Sequence, residues 1–435
     1  MRVFVLLALV ACAAPALAGG PPSRYGVDAP ELAHLGNFAV GVRTLHLVQH
    51  HQADVLAYDA AKGEAPWVDR DLTVDLWYPA HPSPKALAVV YTAQLPREPP
   101  AAPAKFSIPG IAVRDAKPAG SNLPLVIVSH GYSNDPAALT WLTENLASKG
   151  YVVAAIHHDD PPISDRTRLA EPVMRRPLDI AFVAETLQRR LGADQLVDPK
   201  RVALIGYSMG GYGVLVAAGA TLDPDGGALK LVPGGLMRPY ARGGALSDSI
   251  TVKGLRAVVA IAPAGGGPLG AWGAQGVSGI TAPLLLISGD NDHTVDYTTG
   301  ARAFFDQASG AHRYLLTFKE GGHEIGLSPA PDSMRGRLWD EDWFEDPVWR
   351  KDRVTAINAH FITAFLDRYV KDDESRDVYL NVPVTESDAG AWPAATPTPA
   401  YDAYSPGTGN VTVWKGFQRN HATGLEFLQA GARTP

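Results

Sequence analysis

The stretch Arg201-Val-Ala-Leu-Ile-Gly-Tyr-Ser-Met-Gly-Gly211 decides how the rest of the chain is read. Val202 to Ile205 is a short, β-branched, wholly apolar run, the pattern of a parallel strand buried on both faces. It ends at Gly206-Tyr-Ser208-Met-Gly210, and a helix-compatible segment, Tyr212 to Ala220, follows. A serine between two glycines at a strand-to-helix turn is raised at the strand tip, because glycines without Cβ let backbone crowd around it. The helix N-terminus then points its backbone N–H groups at the same place. Glycine supplies 43 of the 435 residues, so the pattern also arises by chance and its surroundings must decide.

Outward from this turn, buried-strand runs recur. Leu123 to Val128 ends at Ser129-His-Gly-Tyr132, and Tyr151 to Ile156 ends at His157-His-Asp-Asp160. Ala257 to Ile261, Leu284 to Ile287 and Tyr314 to Phe318 follow. Between them lie helical patterns. Asp135 is an N-cap with Pro136 at the first position, Leu139, Leu142 and Leu146 form a stripe, and Gly150 is the stop. Pro177 is expected to open a second helix with Ile180, Val183, Leu187 and Leu191 on one face. Val354, Ile357, Phe361 and Phe365 mark a last one. Phe38 to Val48 and Asp71 to Pro79 alternate as antiparallel strands do. This rhythm predicts an α/β fold with a mostly parallel sheet, helices on both faces and antiparallel N-terminal strands.

The ends and interruptions are read separately. Arg2, the apolar run Val3 to Val10 and Ala16-Leu-Ala18 form an export signal, so residues 1–18 are expected to be removed before Gly19. Leu9-Val-Ala-Cys12 offers a second reading, a lipid anchor on Cys12. Residues 19–371 form the main domain, with a Gly-rich insertion at 221–252 and a proline-rich connector from Pro96 to Pro103. Residues 372–435 form an extension whose Trp392, Trp414, Phe417 and Phe427 are expected to pack on the body. With a net charge of −7 there is no basic footprint for nucleic acid. The single Cys allows no internal disulfide and no cysteine-rich metal site. The apolar N-terminal run is too short to cross a bilayer.

Ligands of open parallel sheets gather at the carboxyl ends of the strands. Three such ends carry catalytic residue types: Ser208, then Asp290-Asn-Asp292 after Leu284-Leu-Leu-Ile-Ser-Gly289, then Glu320-Gly-Gly-His323. Serine, acid and histidine in this order match an α/β-hydrolase triad, with either Asp290 or Asp292 as the acid. His323 would take the proton of Ser208 and the carboxylate would fix the imidazole tautomer. Backbone N–H groups of Met209 and Tyr132 would form an oxyanion hole. His157-His-Asp-Asp160 carries metal-ligand types, but adjacent strand residues face opposite ways, so it is read as a polar rim or local hydrogen bonding. Asp340-Glu-Asp-Trp-Phe-Glu-Asp346 is read as a solvated acidic loop.

With these residues in place, the chain resembles bacterial proteins of the platelet-activating-factor acetylhydrolase-like group, often labelled predicted dienelactone hydrolases of the α/β-hydrolase superfamily. The elbow, Ser129-His-Gly131, Leu76-Trp-Tyr-Pro79, Leu146-Ala-Ser-Lys-Gly-Tyr-Val152 and Arg176-Pro-Leu-Asp179 carry the resemblance, over roughly residues 38 to 370. It implies serine esterase chemistry, an oxyanion hole at Tyr132 and Met209, no cofactor, and a Gly-x-x-Asp acid that selects Asp292; the expected partner is a small-molecule ester, and the residues themselves lead us to expect no metal. Two departures matter. Dienelactone hydrolases use cysteine where Ser208 stands, and exported polyester-degrading relatives carry a C-terminal disulfide that this chain cannot form. A peptidase or amidase with the same triad, and an exported binding protein on the same scaffold, are the competing expectations.

Overall fold

The computed structural model describes residues 25–97, 102–161, 166–273, 275–391, 411–418 and 420–433. The expected export signal, Cys12 and Trp392 lie outside them. The first third of the chain builds antiparallel structure: β1 (Ala39–Ala53) pairs with β2 (Trp67–His81), β3 (Ala88–Leu95) with β4 (Ala104–Arg114), and β5 (Lys117–Pro118) caps the end of β2. The proline-rich connector, 96–103, falls between β3 and β4 in the chain, and its residues 98–101 lie outside the described ones. β6 (Leu123–Ser129), β7 (Val152–His157), β8 (Val197–Tyr207), β9 (Leu255–Ile261), β10 (Leu284–Gly289) and β11 (Arg313–Phe318) then form a parallel block in the order β7-β6-β8-β9-β10-β11. β2 adds antiparallel to β7 at one side, and β12 (Leu425–Ala430) adds antiparallel to β11 at the other.

Side-chain alternation along the parallel strands splits the core in two. On β8, Val202 and Leu204 face one layer and Ala203, Ile205 and Tyr207 the other. The first layer is covered by α2 (Ala170–Ala193), α3 (Met209–Ala217) and α5 (Ala303–Gln307), while α4 (Gly227–Leu231) adds Ala228 and Leu229 from the Gly-rich segment. The second is covered by α1 (Thr140–Ser148) and α7 (Lys351–Val370), with α6 (Leu338–Asp342) and α8 (Asp377–Leu380) at its margins. Trp414, Phe417 and Phe427 of the C-terminal segment are buried on that layer around Phe361, with Phe427 stacked at 4.7 Å. Burying three aromatic rings stabilises by several kcal/mol at about 2 kcal/mol each, which is how a segment with little helical or strand pattern is held.

Three expectations are corrected. Pro177 does not open a helix; α2 begins at Ala170 and carries the proline inside. A proline there removes the hydrogen bond to the carbonyl four residues back. That carbonyl belongs to Val173, and it accepts from the Tyr212 hydroxyl at 3.0 Å instead. The acidic stretch 340–346 is not simply solvated: Asp340 is buried and paired with Arg97, and Asp346 accepts from Gly322, Val348 and Trp349 N–H groups. The helix after Asp135 also starts differently, as a 3-10 turn, Pro136–Leu139, before α1.

Candidate active site

Ser208 occupies the turn between β8 and α3 with φ 53° and ψ −116°, a strained conformation for a residue with a side chain. Its carbonyl accepts from Tyr212 and Ala264 N–H, and its own N–H donates to Ile261, so the turn is locked from three sides. The flanking glycines are required by contact: a Cβ on Gly206 would lie 2.1 Å from the Gly210 carbonyl oxygen, and one on Gly210 would lie 2.0 Å from that of Ser129.

The ends of β10 and β11 deliver the other two groups together. Gly289 approaches the loop after β11 so closely that a Cβ would sit 2.0 Å from the Gly321 carbonyl oxygen. Asn291 N–H donates to that oxygen, and Glu320 N–H donates to Asp290 Oδ1 at 2.6 Å. Asp290 thus ties the two loops, while Asp292 turns inward. His323 Nδ1 lies 2.7 Å from Asp292 Oδ2, and His323 Nε2 lies 2.9 Å from Ser208 Oγ. The sequence left two carboxylates open; the geometry brings Asp292 to the imidazole and keeps Asp290 on the backbone.

Burial works to raise the Asp292 carboxyl. The hydrogen bond and charge of His323, with the N–H groups of Val295 and Thr294, outweigh it and hold the group below its ordinary value. An ionised acid therefore faces Nδ1, so Nδ1 carries the proton and Nε2 faces the serine as an acceptor. Tyr207 braces the histidine, its ring centroid 5.3 Å from the imidazole and its hydroxyl donating to the His323 carbonyl. Lys351, buried in α7, donates to the next carbonyl, that of Glu324.

Ser208 and His323 border a cleft of about 790 Å³, with Asp292 buried behind the imidazole. Leu231, Leu269, Leu327, Trp339 and Trp343 supply apolar wall, and Tyr132 and Met209 border Ser208. Leu231 comes from the Gly-rich segment 221–252, Trp343 from the acidic stretch 340–346 and Trp339 from the residue just before it. A Cβ on Gly131 would stand 3.4 Å from Ser208 Cβ, so the turn after β6 runs directly beside the serine. Met209 heads α3, whose first N–H groups have no partner within the helix.

A second arrangement of the same residue types lies behind the first. Ser129 Oγ is 2.9 Å from His158 Nε2, and His158 Nδ1 is 2.9 Å from Asp179 Oδ2. All three are buried and none borders the cleft. Arg70 donates twice to Asp179, at 3.0 Å each, and once to the His158 carbonyl at 2.7 Å. Burial lowers the His158 pKa well below its ordinary value, and the Arg176 and Arg70 charges add to this. The imidazole is therefore neutral, and this set is an internal brace. His157 instead bonds Asp75 at 2.9 Å. His157, His158 and Asp160 are thus spent on bonds to Asp75, Ser129, Asp179 and Arg176, and no metal-like cluster occurs among the described residues. The sequence assigns no role to Arg70 or to Arg176, the latter standing only within a stretch that carries the family resemblance, since single arginines carry no spacing signal.

This strand order, the elbow and the loop positions define an α/β-hydrolase fold. Known proteins agree with it. The family model described as PETase, PET hydrolase-like, matches residues 113–224. Cutinase est1 of Thermobifida alba is 32% identical over 109 residues, covering 25% of this chain and 34% of the cutinase. Lipase 1 of Moraxella sp. (strain TA144) is 27% identical over 205 residues, 46% of this chain and 48% of the lipase. The chain thus spans about a third of the length of the first relatives it matches. A solved ferulic acid esterase from Streptomyces cinnamoneus superposes with a TM-score of 0.53 and 24% identity, covering 77% of this chain and 91% of that one. No helix among the described residues is long and apolar enough to cross a membrane.

Proposed function

We propose that this chain is a serine hydrolase of carboxylic esters. The observation that carries the reading is the unbroken relay from Ser208 Oγ through His323 to Asp292, 2.9 and 2.7 Å, whose serine and histidine open onto a cleft with apolar walls. His323 Nε2 takes the Ser208 proton as Oγ attacks the ester carbonyl carbon, and the carbonyl π pair moves to oxygen. The N–H groups of Met209 and Tyr132 stabilise that oxyanion. Collapse expels the alkoxide, which takes the proton from His323, and leaves an acyl group on Ser208. Water then gives a proton to Nε2 and attacks the acyl carbon. A second collapse returns the proton to Ser208 and releases the carboxylic acid. Asp292 holds the tautomer and stabilises imidazolium throughout.

The cutinases, lipase and ferulic acid esterase support ester rather than amide substrates. The finer grouping with platelet-activating-factor acetylhydrolase-like or predicted dienelactone hydrolases stays part of our reading, as does export through residues 1–18. We also take residues 19–371 as one catalytic domain on which the extension 372–435 packs. A panel of aryl esters of rising acyl length, with an amide analogue, tests the activity. We expect ester turnover that Ser208→Ala abolishes, and amide turnover at least a hundredfold lower. Amide cleavage at an equal rate would make the protein a peptidase or amidase, and no turnover of any ester would refute the reading.

A further inference from the structure

Arg176 is fully buried inside α2 and does not border the cleft, yet its guanidinium reaches the backbone beside Ser208. Nη1 donates to the His130 carbonyl at 2.5 Å and to Ser129 Oγ at 3.2 Å. Nη2 donates to the Gly131 carbonyl at 3.1 Å and to Asp160 Oδ2. Asp160 in turn accepts the Ser133 N–H at 2.9 Å, so the same pair grips the turn on both sides of Tyr132. His130 adds a second donor to the Gly131 carbonyl, Nδ1 at 2.7 Å, while its Nε2 accepts from His158 N–H.

We infer that Arg176 is a positioning residue for the oxyanion hole, acting by fixing the peptide plane between Gly131 and Tyr132. This rests on the serine-esterase reading above. A trans peptide is planar, so its C=O and N–H point in opposite directions. Pinning the Gly131 carbonyl toward Arg176, beneath the sheet end, turns the Tyr132 N–H to the opposite side, where Gly131 and Tyr132 border the cleft with Ser208. Two donors on one carbonyl oxygen occupy both its lone pairs, which leaves that plane no rotation that keeps both bonds. A planar fork suits this task, since it holds two successive carbonyls at once; an ammonium is a point charge and does not. The Arg70–Asp179–His158–Ser129 brace ends on the same guanidinium and sets its depth.

The test is Arg176→Lys, which keeps a cation against Asp160. Oxyanion donors are worth roughly a hundred- to a thousandfold in turnover when removed, so a misaimed one should cost about ten- to a hundredfold. We expect kcat per folded molecule to fall by that factor at 20 °C, with KM changed by less than about threefold, because ground-state binding is untouched. A thionoester of the same substrate gives the specific readout. Sulfur accepts hydrogen bonds poorly, so the oxygen-to-sulfur rate ratio reports on the hole and should shrink by the same factor in the variant. A merely structural role would lower the melting temperature and leave that ratio alone. If the lysine variant does not accumulate folded, Arg176→Met with Asp160→Asn removes both charges together and leaves no buried ion unpaired. Wild-type kcat or an unchanged ratio in either folded variant overturns the inference. Absence of ester turnover in the wild type would instead remove the reading on which it rests.

Discussion

Asp290 and Asp292 stand two residues apart on one loop and should respond in opposite ways to the same change. In Asp292→Asn the side-chain oxygen can still accept from Thr294 and Val295, now 2.8 and 3.1 Å away, so the turn survives. The new amide NH2 then faces His323 Nδ1 across 2.7 Å, donor against donor. The imidazole resolves this by moving its proton to Nε2, which can no longer accept from Ser208. Loss of the correct tautomer costs about ten-thousandfold in kcat, equivalent to about 5.4 kcal/mol of barrier. Exchanging one charge-assisted hydrogen bond for a neutral one should cost only about 1–2 kcal/mol of stability. In Asp290→Asn the oxygen still accepts the Glu320 N–H, and the histidine is not touched. Turnover there should stay within about threefold, with a stability change of about 1 kcal/mol or less. kcat and KM on one aryl ester, beside melting temperature, separate the two cases. An inactive Asp290→Asn with unchanged melting temperature, or an Asp292→Asn keeping a tenth of its turnover, would refute the reasoning.

Other perturbations follow from the same contacts. Tyr212→Phe removes the donor to the Val173 carbonyl beneath Pro177 and should cost about 1–3 kcal/mol in urea unfolding, with kcat nearly unchanged. Gly210→Ala drives a Cβ to within 2.0 Å of the Ser129 carbonyl oxygen, so both expression of folded protein and turnover should collapse. His157 gives a pH signature. Burial opposes its charge, but the Asp135 carboxylate 3.6 Å away and the hydrogen bond to Asp75 outweigh it and raise its pKa from 6.5 to about 10. Its contribution is therefore fully present below pH 6.5 and fades as pH rises through about 10. His157→Gln should lose most stability relative to wild type at pH 6 and little at pH 10.5, by melting temperature; an equal loss at both would show that charge is not involved.

The parallel block and the order of its catalytic types were legible because each buried strand is an uninterrupted apolar run ending in a polar loop. β8, β10 and β11 needed nothing beyond that pattern. β3 and β4 went unread because they alternate only weakly, with Tyr91 and Leu95 the buried residues of β3. Their pairing is set by contacts with β1 and with each other. β12 sat in a segment rich in Pro and Thr, and its edge position on β11 depends on aromatic burial from α7. The start of α2 was misjudged because a proline usually marks a helix beginning. Only the spatially distant Tyr212 shows why this one is tolerated. The roles of Arg176 and Arg70 were illegible for the same reason: their partners are carbonyls and carboxylates brought near by the sheet.

The central claim is that Ser208 forms a covalent intermediate, and labelling by an aryl phosphonate ester tests it most directly. The phosphonyl group should add once per chain, with peptide mapping placing it on Ser208 and ester turnover falling in proportion to the mass increase. Ser208→Ala should take up no label and hydrolyse no ester. A label on another residue, or ester turnover that survives in Ser208→Ala, would contradict the account.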